Sequence, residues 1–139
     1  LGQALDIEAE SSQKQLEIDE ISKLQEYKTG KLITWSCEVG PIIAEENIEP
    51  FSLYASKVGL AFQIIDDILD VTSSSKALGK KVGKDINKNK ATFVSKLGLD
   101  NSKKKAFELV SEACEAISTF KDRSINLCQI ANFIVSRKF

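Results

Sequence analysis

Three observations predict an all-α fold. Apolar residues recur at three- and four-residue spacing along most of the chain, no segment alternates apolar and polar residues for the length of a strand, and the prolines number only two, Pro41 and Pro50. At 139 residues the chain can build one core but not two ordinary domains, so it is one domain or part of one. It begins with Leu and holds no Met, where a primary translation product starts with Met, and the expectation is a fragment.

Residues 1–10 read as the tail of a helix, with Gln3 and Asp6 one turn apart, and Ser11-Ser12-Gln13 marks a turn. A second helix is expected from Glu17 to Ile43, closed by Pro41 and the polar run Glu45-Glu46-Asn47. Its apolar stripe is Ile21, Leu24, Leu32, Trp35 and Val39, and Lys28 projects from the middle of it. An ammonium on that face is desolvated unless it finds an anion. The plainer alternative is a lysine that lays its stem on the core and keeps its head in water.

A third helix is expected from Ile48 to Val71, ended by Thr72-Ser73-Ser74-Ser75. Thr72 to Lys90 then reads as a long loop with Gly79, Gly83 and the lysines Lys76, Lys80, Lys81, Lys84, Lys88 and Lys90, against Asp85 as its single acid. Structureless loops of that length are uncommon and are usually functional or disordered. By itself the segment reads equally as a solvated basic stretch. Ala91 to Leu97 predicts a short helix ending at Gly98, and Asp100 or Asn101 can cap the next one. That helix carries the stripe Ala106, Leu109, Val110, Ala113, Ile117 and Phe120; a last helix, Arg123 to Arg137, carries Leu127, Ile130, Ala131 and Ile134. Both read as packing elements and receive no chemistry.

The third helix does. At about 100° per residue, Gly59, Gln63, Asp66 and Asp70 share a narrow strip with Asp67 at its edge, while apolar residues fill most of the remaining circumference. The carboxylates are therefore expected to look inward. Like charges four residues apart repel, Asp is a poor helix former, and a helix ending at Thr72 would put all three at its negative pole. No Lys or Arg lies between Lys57 and Lys76 to neutralise them. A hard divalent cation would: magnesium takes oxygen ligands, usually one or two carboxylates, and completes its shell with water and substrate phosphates. A solvated polar face is the alternative. Carboxylates and lysines can serve one polyphosphate only with metal between the acids and the phosphate oxygens, so strip, Lys28 and basic loop together point to a diphosphate. The loop glycines match neither GxxxxGK[ST] nor GxGxxG.

Composition excludes other classes. With 19 basic and 20 acidic side chains, a general nucleic-acid surface is not expected. No apolar run approaches the ~18 residues of a membrane span, and the start has no signal-peptide pattern. Cys37, Cys114 and Cys128 are odd in number, without a CxxC pair, and read as reduced core thiols of a cytosolic protein; without His, a zinc site is not expected.

These segments resemble, in order and spacing, the trans-isoprenyl diphosphate synthases, which include farnesyl and geranylgeranyl diphosphate synthases. Gly2-Gln3-Ala4-Leu5-Asp6 is similar to the family's GQ-x-x-D helix, Tyr27-Lys28-Thr29-Gly30 to its HKT segment, and Phe62-Gln63-x-x-Asp66-Asp67-x-x-Asp70 to its second aspartate-rich motif. Gly79-Lys80, Gly83, Asp85 and Asn89-Lys90 are similar to the basic loop that follows. Tyr27 departs from the family's His. The resemblance implies the C-terminal helices of an isoprenoid-synthase-type bundle, with residues 1–139 the C-terminal part of one domain. The N-terminal half, with the first aspartate-rich motif and the isopentenyl diphosphate site, is absent.

It also implies a cytoplasmic, homodimeric, magnesium-dependent prenyltransferase that condenses an allylic diphosphate with isopentenyl diphosphate, with this fragment inactive alone. By carry-over, Asp66 would ligate Mg2+ with Asp67 and Asp70 in support. Lys28, Lys80 and Lys90 would contact the allylic diphosphate, and Thr29 and Gln63 would orient the departing group or stabilise the cation. One alternative is a non-catalytic helical partner of a complete synthase. A terpene cyclase relative, which shares diphosphate ionisation, fits the lysine loop and the GQ-x-x-D and KT segments less well.

Overall fold

The computed structural model describes residue 7, residues 16–77 and residues 92–137, and all regular structure among them is helical. The GQ-x-x-D segment, the turn at 11–13 and the basic stretch with Lys80 and Lys90 lie outside the described residues, as does the side chain of Lys28.

The first long helical run covers the span expected of the second helix but is not uniform. α1, Ile18–Gln25, opens on a capping box in which Glu17 and Glu20 satisfy each other's backbone N–H groups. It passes into a π turn, Glu26–Gly30, and then α2, Lys31–Ile43. In the turn the Lys31 N–H reaches back five residues to Glu26 O. One added residue rotates everything after it by roughly 100° relative to a straight helix. The stripe drawn by constant 3.6-residue periodicity therefore divides. Ile21 is buried, but Leu32 and Trp35 are 68% and 62% exposed, and Pro41 is the buried residue of α2. The run ends after Ile43, where Glu45 takes a left-handed φ of 55°.

α3, Glu49–Ala77, is the axis of the fold. Tyr54, Ala55, Val58, Ala61, Ile64, Ile65 and Ile68 are its buried apolar face. That face packs chiefly against α5, Leu99–Ala116, which supplies Ala106, Leu109, Val110 and Ala113. The expected end of α3 at Thr72 does not occur. Thr72 Oγ1 donates to Ile68 O at 2.9 Å and Leu69 O at 3.2 Å. A hydroxyl satisfied inside its own helix need not break it.

Between these two, α4 spans Phe93–Leu97, capped by Thr92 and Ser95, each of whose hydroxyls accepts from the other's N–H (3.1 and 3.0 Å). Gly98 follows at φ 78°, a conformation natural to glycine, and is the N-cap position of α5. Asp100 and Asn101, the expected caps, lie within the helix instead. A 3₁₀ segment, Ser118–Ser124, leads to α6, Ile125–Ser136. α6 is held to α3 by Tyr54, 2% exposed, whose hydroxyl donates to Leu127 O at 2.7 Å. No helix among the described residues is long and apolar enough to cross a membrane.

The three cysteines are free and half-buried. Burial, aided by a hydrogen bond with Cys128, pushes the Cys114 thiol up to about 12, and burial likewise raises Cys37. A raised thiol pKa means less thiolate at any pH below it, so alkylation of Cys37 and Cys114 at pH 8 is expected to be slow in the folded chain and fast in denaturant, as read by mass spectrometry. Ile64, fully buried at the α3 centre, makes the second test: Ile64→Ala is expected to lose about 2–5 kcal/mol in urea unfolding of the full-length protein.

Candidate functional site

The strip of α3 runs from the interior to the surface. Gly59 is buried and Gln63 is 8% exposed, Asp66 and Asp67 are half-buried, and Asp70 is exposed. The expectation that all three carboxylates look inward is therefore met only at its lower end: among the described residues the strip opens outward from Asp66.

The π turn lies against the lower part of this strip. Gly30 and Gly59 meet here: a Cβ on Gly59 would stand in ordinary van der Waals contact, 3.5 Å from Gly30 Cα. Gly59, the point of contact, lies seven residues before Asp66, about 10 Å of helix rise along α3. Thr29 is half-buried. Beside the contact opens a cleft of about 620 Å³ between α1, the π turn, α2 and α3, lined in part by Gln25, Thr34, Ser56 and Gly59. Gln25 Oε1 is buried there with no hydrogen-bond partner among the described residues.

The aspartates differ in their partners. Asp67 Oδ2 accepts from the backbone N–H of Phe93 at 3.2 Å, so it holds the first turn of α4, where a carboxylate is favoured by unpaired N–H groups and the helix dipole. Asp66 Oδ1 accepts from Arg137 Nη2 at 2.9 Å. No cation for Asp66 is legible along α3, because Arg137 lies 71 residues away in sequence. The aromatic at Phe62, one turn before Asp66, was the only local signal, since an arginine stacks on its ring.

A hard cation fits this donor set in one way. No three of His, Cys, Asp and Glu converge among the described residues to hold a metal ion. Asp66 and Asp70, four residues apart on one strip, suit instead an ion that takes one or two carboxylates and fills its shell with water and phosphate oxygens, which is the habit of magnesium.

The polyprenyl synthetase family model matches residues 1–128. The chain belongs to that family. A geranylgeranyl diphosphate synthase of Cyanophora paradoxa is 40% identical over 98% of the chain and 46% of its own length. A farnesyl diphosphate synthase of Escherichia coli is 34% identical over 98% and 47%. Among solved structures, a candidate farnesyl-diphosphate synthase from a Marinomonas species superposes with a TM-score of 0.79 at 32% identity, covering 97% of this chain and 45% of that one. The chain thus spans less than half the length of the curated relatives it matches, across their all-α fold.

Asp67 provides the test of this geometry. Asp67→Ala is expected to destabilise the full-length protein by about 0.5–2 kcal/mol, the range for removing a side-chain acceptor from a helix N-terminus, as read by thermal melting without added metal.

Proposed function

We propose that this chain is the C-terminal half of a magnesium-dependent prenyltransferase, which condenses an allylic diphosphate with isopentenyl diphosphate to give farnesyl or geranylgeranyl diphosphate. The observation that supports it best is the contact between the π turn bearing Lys28 and Thr29 and the α3 strip bearing Gln63, Asp66 and Asp70, in a member of the polyprenyl synthetase family.

In the reaction, the allylic C–O bond breaks and its electron pair leaves with the diphosphate. The isopentenyl double bond attacks the resulting cation, and a proton is then lost. Asp66 and Asp70, with Asp67 beside them, would hold Mg2+, which when bound supplies charge neutralisation of the departing diphosphate. Lys28, on the π turn, and Lys80 and Lys90, which follow α3 in sequence, would donate to the diphosphate oxygens. Thr29 and Gln63 orient the departing group, and the Thr29 hydroxyl turns lone pairs toward the cation. The buried position of Gln63 supports a water-poor lower site, where such dipoles act strongly.

The other half of the site belongs to an N-terminal half with the first aspartate-rich motif and the isopentenyl diphosphate contacts, so the 139 residues alone are inactive. Supporting this are the length of the relatives and the exposure of Leu32, Trp35 and Ile43 on α2, an apolar face of the kind that packs against further structure. The whole enzyme would be cytoplasmic and homodimeric. That same face favours a second reading, in which the chain is a non-catalytic helical partner docked on a complete synthase subunit.

The deciding assay gives the full-length protein both diphosphates and magnesium and identifies the product chain length. Turnover is expected, with loss on chelation, and Lys28→Ala or Asp66→Ala is expected to lower kcat about 10²- to 10³-fold while the fold persists. Near-normal turnover in either variant would remove these assignments. An inert full-length protein that stimulates a complete synthase would favour the partner role.

A further inference from the structure

Arg137 is the first residue beyond α6, where the backbone turns extended (φ −54°, ψ 132°). Its guanidinium reaches back to α3. Nη2 donates to Asp66 Oδ1 at 2.9 Å, Nε donates to Ile134 O at 3.3 Å, and Cζ stands 4.6 Å from the centre of the Phe62 ring. The arginine side chain is 16% exposed, against 43% for Asp66. This cation is therefore seated rather than waving from the surface. Phe62 and Asp66 are neighbours one turn apart on α3, so the ring and the carboxylate form a single seat for a planar, pre-organised group.

Asp66 is also the carboxylate at the boundary between the buried and open parts of the strip, and one of its oxygens already serves a positive charge. A divalent ion bonded to that oxygen and a guanidinium hydrogen-bonded to it at 2.9 Å would repel each other at close range. We infer that Arg137 is a resident counter-cation of the aspartate strip: it holds Asp66 when no divalent ion is bound and competes with the ion for that carboxylate. The inference rests on the reading of Asp66 as a metal ligand. It assigns a role to a residue beyond the stretch 1–128 that the family model matches, and it makes metal affinity depend on the residue after α6 as well as on α3. If the Arg137-bound form predominates about tenfold, the apparent metal affinity falls by about that factor.

Calorimetric titration of magnesium alone into the full-length protein tests it. Arg137→Gln is expected to bind magnesium about 3- to 10-fold more tightly than the natural protein, to melt lower without metal, and to recover that deficit as magnesium is raised. Phe62→Leu, which removes the stack and keeps the charge, is expected to shift affinity in the same direction by less, and it serves if Arg137→Gln does not fold. Unchanged or weaker magnesium affinity in both variants, whatever their melting temperatures, overturns the inference and leaves Arg137 a packing residue. Asp66→Asn separates the two layers of the reading. If Asp66→Asn loses the ion while the other variants match the natural protein, only the counter-cation role fails. If it binds magnesium as the natural protein does, or if no form takes up magnesium, the metal role of Asp66 fails and the inference with it.

Discussion

Burial of one face of α3 is the constraint on which everything else rests. Ile64, Ala61 and Tyr54 are sealed against α5 and α6, and the 29-residue length of the helix carries its opposite side out past the core. A helix held this firmly on one side can keep unfavourable groups on the other. Spacing alone then puts Gln63 inside and Asp70 outside, with Asp66 at the boundary. The site needs no special backbone at the aspartates; it needs a rigid rod whose roll angle is fixed by apolar contact.

The special backbone lies opposite. A π turn inserts one residue at the point where α1 would otherwise continue smoothly into α2, and it falls on the Lys28-Thr29-Gly30 segment. Gly30 of this turn packs against Gly59 of the rod. The same twist sends Leu32 and Trp35 away from the core.

What could be read in the sequence was whatever depends on local periodicity. The all-α class, the strip from Gly59 to Asp70, the short helix before Gly98 and the stripe of α5 are consequences of residues within a few turns of one another. The misplacement of Leu32 and Trp35 arose because a single π turn changes the period without changing the composition. The helix end misassigned to Thr72 arose because serines and threonines stop a helix only when their hydroxyls compete with it, and Thr72 bonds back into its own turn. Arg137 was invisible for a different reason: 71 residues separate it from Asp66, and only the packing of α6 on α3 brings them together.

The hydrogen bond from Phe93 to Asp67 has a topological meaning as well. It joins residues 26 apart, so the chain that leaves the aspartates along the rest of α3 must come back to the same turn of helix before α4 begins. Asp67 therefore sets where the chain re-enters the packed helices: the start of α4 is registered to the aspartate turn of α3, not to the far end of that helix. One carboxylate is thus a fixed address for the returning backbone, and the aspartate turn organises the order of packing as well as the site.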